Sequence, residues 1–174
     1  MNSVNLKSKT KLMAVLAIAA FDVRAEEART VNAPERRHIV VSLTDRKLVL
    51  LEGDRVLRVF DVAVGKPSTP TPEGRFAIIN RVSNPTWYSP SGSVAPGNHN
   101  PLGSRWMGLS AKGYGIHGTN VPSSIGKAAS HGCVRMRKQD LEELFEMVTV
   151  GTTVELQREP SALLTGILSD AVSE

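Results

Sequence analysis

Short runs rich in valine, leucine and isoleucine, each closed by a turn signal, constrain the fold of this chain more than any other feature. Between residues 38 and 65 the runs HIVVSL, KLVLLEG and VLRVFDVAVG follow one another, separated by the dipeptides TD and GD. Runs of this length and composition are typical of strands, and connections this short join antiparallel neighbours. The segment therefore predicts a β-meander.

The rest of the chain adds strands, loops and one helix. RFAIINRV, WMGLS, YGIHG and TTVELQ predict four more strands. Prolines and glycines crowd residues 66–74 and 83–105, which predicts irregular loops, the second long enough to be functional. Residues 137–148 show helical spacing of four apolar side chains. These are Leu141, Leu144, Phe145 and Val148. We expect one mainly β domain with a short helix after Cys133.

The N-terminus has the three parts of a secretory signal peptide. Lys7, Lys9 and Lys11 precede the ten-residue apolar run LMAVLAIAAF, and DVRA ends in a small residue suited to signal peptidase. We expect cleavage after Ala25 and export of the mature chain to a periplasm or cell wall. Ten apolar residues are too few to span a bilayer, which needs about twenty. An uncleaved anchor, or a cytosolic protein with an apolar start, is the alternative.

Loss of the signal peptide at residues 1–25 changes what the charge implies. The formal net charge is +4, and this segment carries four basic residues and one acidic residue. The mature chain then carries about +1, without a basic stripe interleaved with aromatics, so nucleic acid is not an expected partner. We divide the remainder into a linker at residues 26–36, a domain at 37–157 and a tail at 158–174. The tail has the pattern of a short amphipathic helix.

Cys133, in SHGCVRM, is the only cysteine of the chain. In an oxidising compartment a single cysteine indicates an intermolecular disulfide or a thiol kept for its reactivity. A thiol nucleophile needs a base and N–H donors for the oxyanion, and His117, in IHGTN, is the obvious base. Gly132 and Cys133 lie just before the predicted helix, so we expect the helix N-terminus to lower the thiol pKa.

These residues also have ordinary structural explanations. A lone cysteine is most often a small buried hydrophobe, and a lone histidine in a strand is more often a core residue than a catalyst. His131 either hydrogen-bonds near the oxyanion or braces its loop, while His38 and His99 have no motif around them. One cysteine and two histidines without a carboxylate fit no familiar metal-ligand spacing, so we do not expect a metal site.

Several ordered motifs resemble one known family. IHGTN followed by SHGCVRM is similar to the active-site signature of the YkuD-type L,D-transpeptidase catalytic domain, a bacterial cell-wall enzyme family. VGKPSTPTPEGRF, NPTWYSP and NPLGSRWMGL resemble family segments in the same order, and the resemblance spans roughly residues 37–157. It implies a single β-sandwich domain of the L,D-transpeptidase type. A wall-binding module, present in larger members, is not recognisable here.

Carried over by position, the resemblance implies a nucleophile and its supporting groups. Cys133 would be the nucleophile, and His117 its general base and later its acid. The carbonyl of Gly118 would orient His117. His131 and Gly132, with the amide of Cys133, would match the oxyanion region.

Three more side chains are implied to border the substrate. Arg135 would hold a carboxylate of a peptide, or else form a salt bridge with the following helix. Ser130 is a candidate contact whose main role would be to shape the loop. Trp106 would wall the groove, or simply pack at a strand end.

The implied chemistry is acyl transfer on peptidoglycan stem peptides. Attack on the bond between the third residue of a tetrapeptide stem and its terminal D-Ala would release D-Ala and leave an acyl-thioester. A stem amine, a lipoprotein or a free D-amino acid as acceptor would make a transferase, and water a carboxypeptidase. A non-catalytic wall-binding domain and a disulfide-linked structural protein are the other hypotheses. The implied chemistry requires no cofactor or metal, and we expect a monomeric transferase.

Overall fold

The computed structural model describes residues 36–158, and all seven strands predicted from the sequence are present. The predicted signal peptide, the linker except Arg36 and the tail except Arg158 lie outside the described residues. The strands are β1 (Arg37–Ser42), β2 (Lys47–Glu52), β3 (Arg55–Gly65), β4 (Gly74–Ser83), β5 (Trp87–Ser89), β6 (Gly92–Val94), β7 (Arg105–Leu109), β8 (Gly115–His117), β9 (Ala128–Ser130), β10 (Val134–Met136) and β11 (Thr153–Gln157). A 3₁₀ turn (Pro122–Ser124) and the helix α1 (Lys138–Met147) complete these elements.

The strand pairings close into a ring. Neighbouring strands follow the order β10-β8-β7-β4-β11-β1-β2-β3, and β10 pairs with β3 as well as with β8. The pairs β1–β11, β8–β10 and β3–β9 are parallel, and the meander β1–β2–β3 is antiparallel as predicted. The predicted class, mainly β with a short helix after Cys133, is confirmed. No helix in the described range is long and apolar enough to cross a membrane.

The core lies inside this ring and extends to α1. Its side chains come from alternating positions of the strands, as expected where one face of a sheet is buried. Among them are Ile39, Leu48, Leu50, Val62, Ile78, Met107, Ile116, Met136 and Val154. The predicted apolar face of the helix is confirmed, since all four of its side chains belong to the same core. The helix thus packs against the strands that carry the candidate site.

The long loop at residues 83–105 is not wholly irregular, and the prediction is wrong on this point. It contains the hairpin β5–β6, in which Trp87 pairs with Val94, closed by a turn at Pro90 and Ser91 that Gly92 follows with a φ of +135°. The hairpin forms a separate two-stranded sheet and leaves Tyr88 79% exposed. Its residues therefore lack the alternation of a half-buried strand, which is the signal that sequence reasoning uses.

Asn100 fixes the base of this hairpin. Its side chain is buried, and its Nδ2 lies 2.8 Å from the carbonyl oxygen of Pro85, 3.1 Å from that of Val94 and 3.2 Å from that of Ala95. Its Oδ1 accepts the N–H of Leu102 at 2.8 Å. One amide thus ties both ends of the hairpin to the segment that precedes β7.

We predict that Asn100→Ala lowers the free energy of unfolding by about 1–3 kcal/mol, because it leaves buried carbonyl groups without a hydrogen-bond donor. Asn120→Ala is the matched control: its exposed amide makes one bond of 3.2 Å, to the carbonyl of His99, so its loss is expected to stay within about 0.5 kcal/mol. Urea denaturation of the two variants measures the difference. Equal losses in both would contradict the anchoring role.

Candidate active site

Cys133 lies in a tight turn between two short strands that were not predicted. Residues 128–130 form β9, residues 134–136 form β10, and α1 begins only at Lys138. The expectation that the helix N-terminus lowers the thiol pKa is therefore wrong. The dipole of a helix acts within its first turn, and a whole strand separates that turn from the sulfur.

Ser130 holds the turn together. Its hydroxyl donates to the carbonyl of Cys133 at 2.6 Å and accepts the N–H of Gly132 at 3.0 Å. Ser130 is fully buried and absent from the cavity lining, so its candidate role as a substrate contact is wrong and its role is to shape the loop. The N–H of Gly132 is engaged within the turn, and its place in the oxyanion region stays a prediction.

Only glycine fits at position 132. Its φ is +111°, a region that side chains rarely adopt. A Cβ there would lie 2.5 Å from the ring of Tyr114 and 3.2 Å from the carbonyl oxygen of Pro70. Gly132 therefore lets the turn that precedes the sulfur pack directly against Tyr114.

The sulfur of Cys133 faces a second turn, KGYG, whose role the sequence did not reveal. The thiol donates to the carbonyl of Gly113 at 3.8 Å, and the backbone N–H of Gly115 is directed at the sulfur. Burial raises the pKa of the thiol, against smaller lowering effects of the Gly115 N–H and the charge of Arg135. Cys133 is therefore a neutral thiol at rest.

His117, at the end of β8, is buried and held in one tautomer. Its Nδ1–H donates to the carbonyl of Gly118 at 2.7 Å, the orienting contact that the resemblance implied, which leaves Nε2 unprotonated in the neutral ring. Burial lowers the pKa of His117 from 6.5 to about 4, the Gly118 bond opposes this, and the charge of Arg135 adds to it. The imidazole is thus a neutral acceptor near pH 7.

Trp106 and Gly118 fix where the imidazole lies. Trp106 stacks on the ring of His117, with centroids 5.6 Å apart, and its own Nε1–H donates to Oδ1 of Asn80 at 3.0 Å. The N–H of Gly118 donates to the carbonyl of Leu102 at 2.8 Å, in the segment held by Asn100. A Cβ on Gly118 would meet Gly103 at 2.9 Å, so glycine permits this close approach.

Arg135 lies beside His117, since the two residues pair in the parallel register of β8 and β10. Its Nε is buried with no hydrogen-bond partner, and Arg135 takes part in no salt bridge among residues 36–158. The alternative of a salt bridge with the following helix is wrong for this residue. Arg137 forms that contact instead, 3.8 Å from Asp140, and also lies 3.2 Å from Asp61.

These groups share one open cavity of about 1030 Å³. It is lined by Val82, Asn84, Pro85, Thr86, Trp87, Tyr88, Pro101, Leu102, Trp106, Gly113, His117, His131, Cys133 and Arg135. No acidic side chain stands among these lining residues, and the hairpin β5–β6 forms one wall. His131 lies at the cavity with its side chain exposed. Across the described residues, no three Cys, His, Asp or Glu side chains come together as a metal site would require.

A thiol, an oriented neutral imidazole and a guanidinium around one cleft suit acyl transfer by a cysteine nucleophile. Residues 36–156 match the family model of the YkuD L,D-transpeptidase catalytic domain. The chain belongs to this family. The resemblance of the ordered motifs is thereby confirmed over nearly the whole predicted span.

Curated relatives and solved structures agree with this membership. The chain is 47% identical to YkuD of Bacillus licheniformis over 118 residues and 45% identical to YkuD of Bacillus subtilis over 121 residues, which is 68% and 70% of this chain. The matches cover 64% and 66% of those two relatives.

The fold is similar to the catalytic domain from the Enterococcus faecium L,D-transpeptidase, with a TM-score of 0.59 and 29% identity. That match covers 72% of this chain and 100% of the other. A mutant form of the Enterococcus faecium L,D-transpeptidase gives a TM-score of 0.60 and 28% identity over 71% of this chain and 50% of the other.

We predict that iodoacetamide alkylates Cys133 with a rate that rises through a pH above the ordinary thiol range, because only the thiolate reacts and burial raises its pKa. Cys133 is the only cysteine, so the adduct seen by intact mass reports on this site alone. Glutathione alkylated in parallel supplies the reference. An inflection at a lower pH than that of glutathione would contradict this prediction. It would indicate a stabilised thiolate, as expected beside a helix N-terminus.

Proposed function

We propose that this protein is an exported L,D-transpeptidase that acts on peptidoglycan tetrapeptide stems through a Cys133 acyl-enzyme. The observation that carries the proposal is the pairing, in one cavity, of the Cys133 thiol with a neutral His117 whose Nδ1–H is tied to Gly118. Membership of the YkuD family supports the substrate class. The N-terminal sequence supports export to a periplasm or cell wall.

The first half-reaction begins from an uncharged thiol and an uncharged imidazole. Nε2 of His117 removes the Sγ–H proton as the sulfur attacks the carbonyl carbon of the third stem residue. The electrons of the carbonyl double bond move to oxygen, and the tetrahedral intermediate then expels the amine of D-Ala. His117 returns the proton to that amine, which leaves a thioester on Cys133 and a neutral imidazole.

Backbone donors stabilise the negative charge that forms along this path. The N–H of Gly115, directed at the sulfur, stabilises developing thiolate character. We assign the oxyanion to the N–H of Cys133, because Ser130 already accepts the N–H of Gly132. His131 stands at the edge of the cavity, where its imidazole contacts polar groups of the stem.

In the second half-reaction an acceptor takes the acyl group. His117 removes a proton from the acceptor amine, which attacks the thioester carbonyl, and the thiol of Cys133 is regenerated. A stem amine gives a cross-link between third residues, and a lipoprotein amine gives an anchored protein. Water in the same position gives a tripeptide. We expect the protein to act as a monomer in this scheme.

Intact-mass analysis with purified disaccharide-tetrapeptide tests the proposal. We expect D-Ala release with a Cys133 adduct or a joined product, and complete loss of all three in Cys133→Ala. The ratio of joined product to free tripeptide separates a transferase from a carboxypeptidase. His117→Gln is expected to lower the rate by about 10²–10⁴-fold, since it removes the general base.

His99→Gln is the matched control for the histidine variant, because His99 is exposed and absent from the cavity lining. Circular dichroism establishes that each variant is folded. Absence of D-Ala release from folded, reduced protein would contradict the catalytic proposal for this substrate. Release that survives Cys133→Ala would show that another residue is the nucleophile.

The pH profile of kcat/KM supplies an independent check. We expect activity to persist as the pH falls from 7 to 5 and to be lost near pH 4, because His117 must be neutral and its pKa is about 4. We expect the alkaline limb at a pH above the pKa range of ordinary thiols, where Cys133 loses its proton. An acid limb near 6.5, the ordinary imidazole value, would contradict the buried base.

A further inference from the structure

Strand β2 is buried on both of its faces. Leu48 and Leu50 belong to the core, whereas Val49 and Leu51 point to the opposite side of the sheet, here called the outer face. All four side chains are at most 2% exposed. A strand that is covered on one side alternates between buried and exposed residues, so four consecutive buried residues require cover on both sides.

The described residues do not account for the cover on the outer face. The apolar side chains packed against Val49 and Leu51 are those of Val40 and Val56, which lie in strands that pair with β2. Neighbouring strands shield only the flanks of a side chain, because side chains stand roughly perpendicular to the sheet. The apolar side chains of α1 belong to the core on the other side. The outer face therefore requires an apolar partner from outside residues 36–158.

The covered area has the size of a single helix. Val59, which pairs with Val49 in register, remains 38% exposed, so the cover stops within β3. A stable interface between two chains buries about 800 Å² on each partner and involves about 20–30 residues. Here the buried patch crosses three strands that lie about 4.8 Å apart, and a helix with its side chains is about 10–12 Å wide. One amphipathic helix fits this patch better than a second copy of the chain does.

The tail at residues 159–174 has the sequence of such a helix. Leu164, Ile167 and Leu168 recur at the spacing of one helical face, and the two residues between the first and second of them are small or polar. The linker on the other side of the domain contains one large apolar residue, Val31, and is otherwise polar or small. The tail is therefore the better apolar partner for the outer face.

The chain leaves the described domain at the correct edge of the outer face. β11 runs parallel to β1, and the hydroxyl of Thr44, in the turn between β1 and β2, donates to the carbonyl of Arg158. Pro160 cannot extend the ladder of β11. Residues 159–163 reach up to about 17 Å when extended. Val49 lies two residues along β2 from the same turn, which is about 7 Å. A helix of ten residues, about 15 Å long, can then lie along β2.

We propose that the tail at residues 159–174 docks as an amphipathic helix on the outer face of the meander β1–β2–β3 and completes the catalytic domain. This docking does not depend on acyl transfer. The docked helix holds the meander from outside, and β3 of the meander pairs with β10, the strand that follows the thiol. The tail thereby stabilises the strands that support the site.

Methyl NMR of the mature chain, residues 26–174, tests the contact directly. We expect NOE cross-peaks that join the methyl groups of Val49 and Leu51 to at least one of Leu164, Ile167 and Leu168. A sample mixed from labelled and unlabelled chains separates contacts within one chain from contacts between two chains. Cross-peaks between chains would show that a second copy covers the outer face. The absence of any cross-peak to the tail would show that the occupant is another molecule. Either result overturns the proposal.

Urea denaturation of the mature chain gives a second readout. Ile167→Asp places a charge on the apolar side of the tail, and we expect it to lower the urea midpoint by about 1 M. Ser169→Asp is the matched control, because it adds the same charge on the polar side of the helical pattern, and we expect it to leave the midpoint unchanged. Equal midpoints for the two variants would argue against docking through this face.

A double-mutant cycle identifies the partner strand. The tail residue whose methyl group contacts Leu51 is truncated to alanine, alone and together with Leu51→Ala. We expect the two losses of unfolding free energy to be less than additive, because residues in contact share the interaction that each truncation removes. Val121→Ala serves as the control, since Val121 is 48% exposed and lies outside the meander, so its loss is expected to add to that of the tail variant. Additive losses in both pairs would place the tail away from β2.

Discussion

The parallel register between β8 and β10 is the constraint on which the site depends. Val134 pairs with Ile116 and Arg135 with His117, so Cys133 falls beside Gly115 one step earlier. Side chains alternate along a strand, and Val134, Met136 and Ile116 accordingly enter the core. Cys133, Arg135 and His117 share the opposite face and open onto the cavity. A slip of one residue would exchange the two sets and destroy core and site together.

Closure of the strand ring stabilises the short pairing between β8 and β10. β10 has three residues, yet it is held by β8 on one side and by β3 on the other. The turn before it is fastened independently, because the carbonyl of Ser130 accepts the N–H of Lys66 at 3.1 Å and the hydroxyl of Thr69 at 3.1 Å. The proline-rich segment at residues 66–74 therefore hydrogen-bonds the turn that carries the thiol and holds it in place. This role explains why an irregular segment lies against the site.

The sequence predicts most of this framework but not the environment of the thiol. The periodicity of apolar residues predicts the long strands and the helix. β9 and β10 are only three residues long and flank a glycine turn, so they show no such periodicity. CVRM contains a weak signal, since it alternates between side chains that face the cavity and apolar side chains that face the core. The pairing with β8 was not readable, because residues 117 and 133 are joined only through closure of the ring. Missing β10 placed the helix next to Cys133 and reversed the expected direction of the thiol pKa.

The raised thiol pKa reconciles a lone cysteine with the oxidising compartment that the N-terminus predicts. The thiolate is the species that oxidants and disulfides attack, so a partly buried, protonated sulfur is protected at rest. A helix N-terminus would have stabilised the thiolate permanently and exposed it to the same reactions. In the proposed mechanism the neutral His117, with its proton acceptor at Nε2, deprotonates the thiol only when a donor carbonyl carbon is in place for attack. Burial therefore lowers the resting reactivity of Cys133, and under the proposed function its activation would depend on His117 and the bound donor.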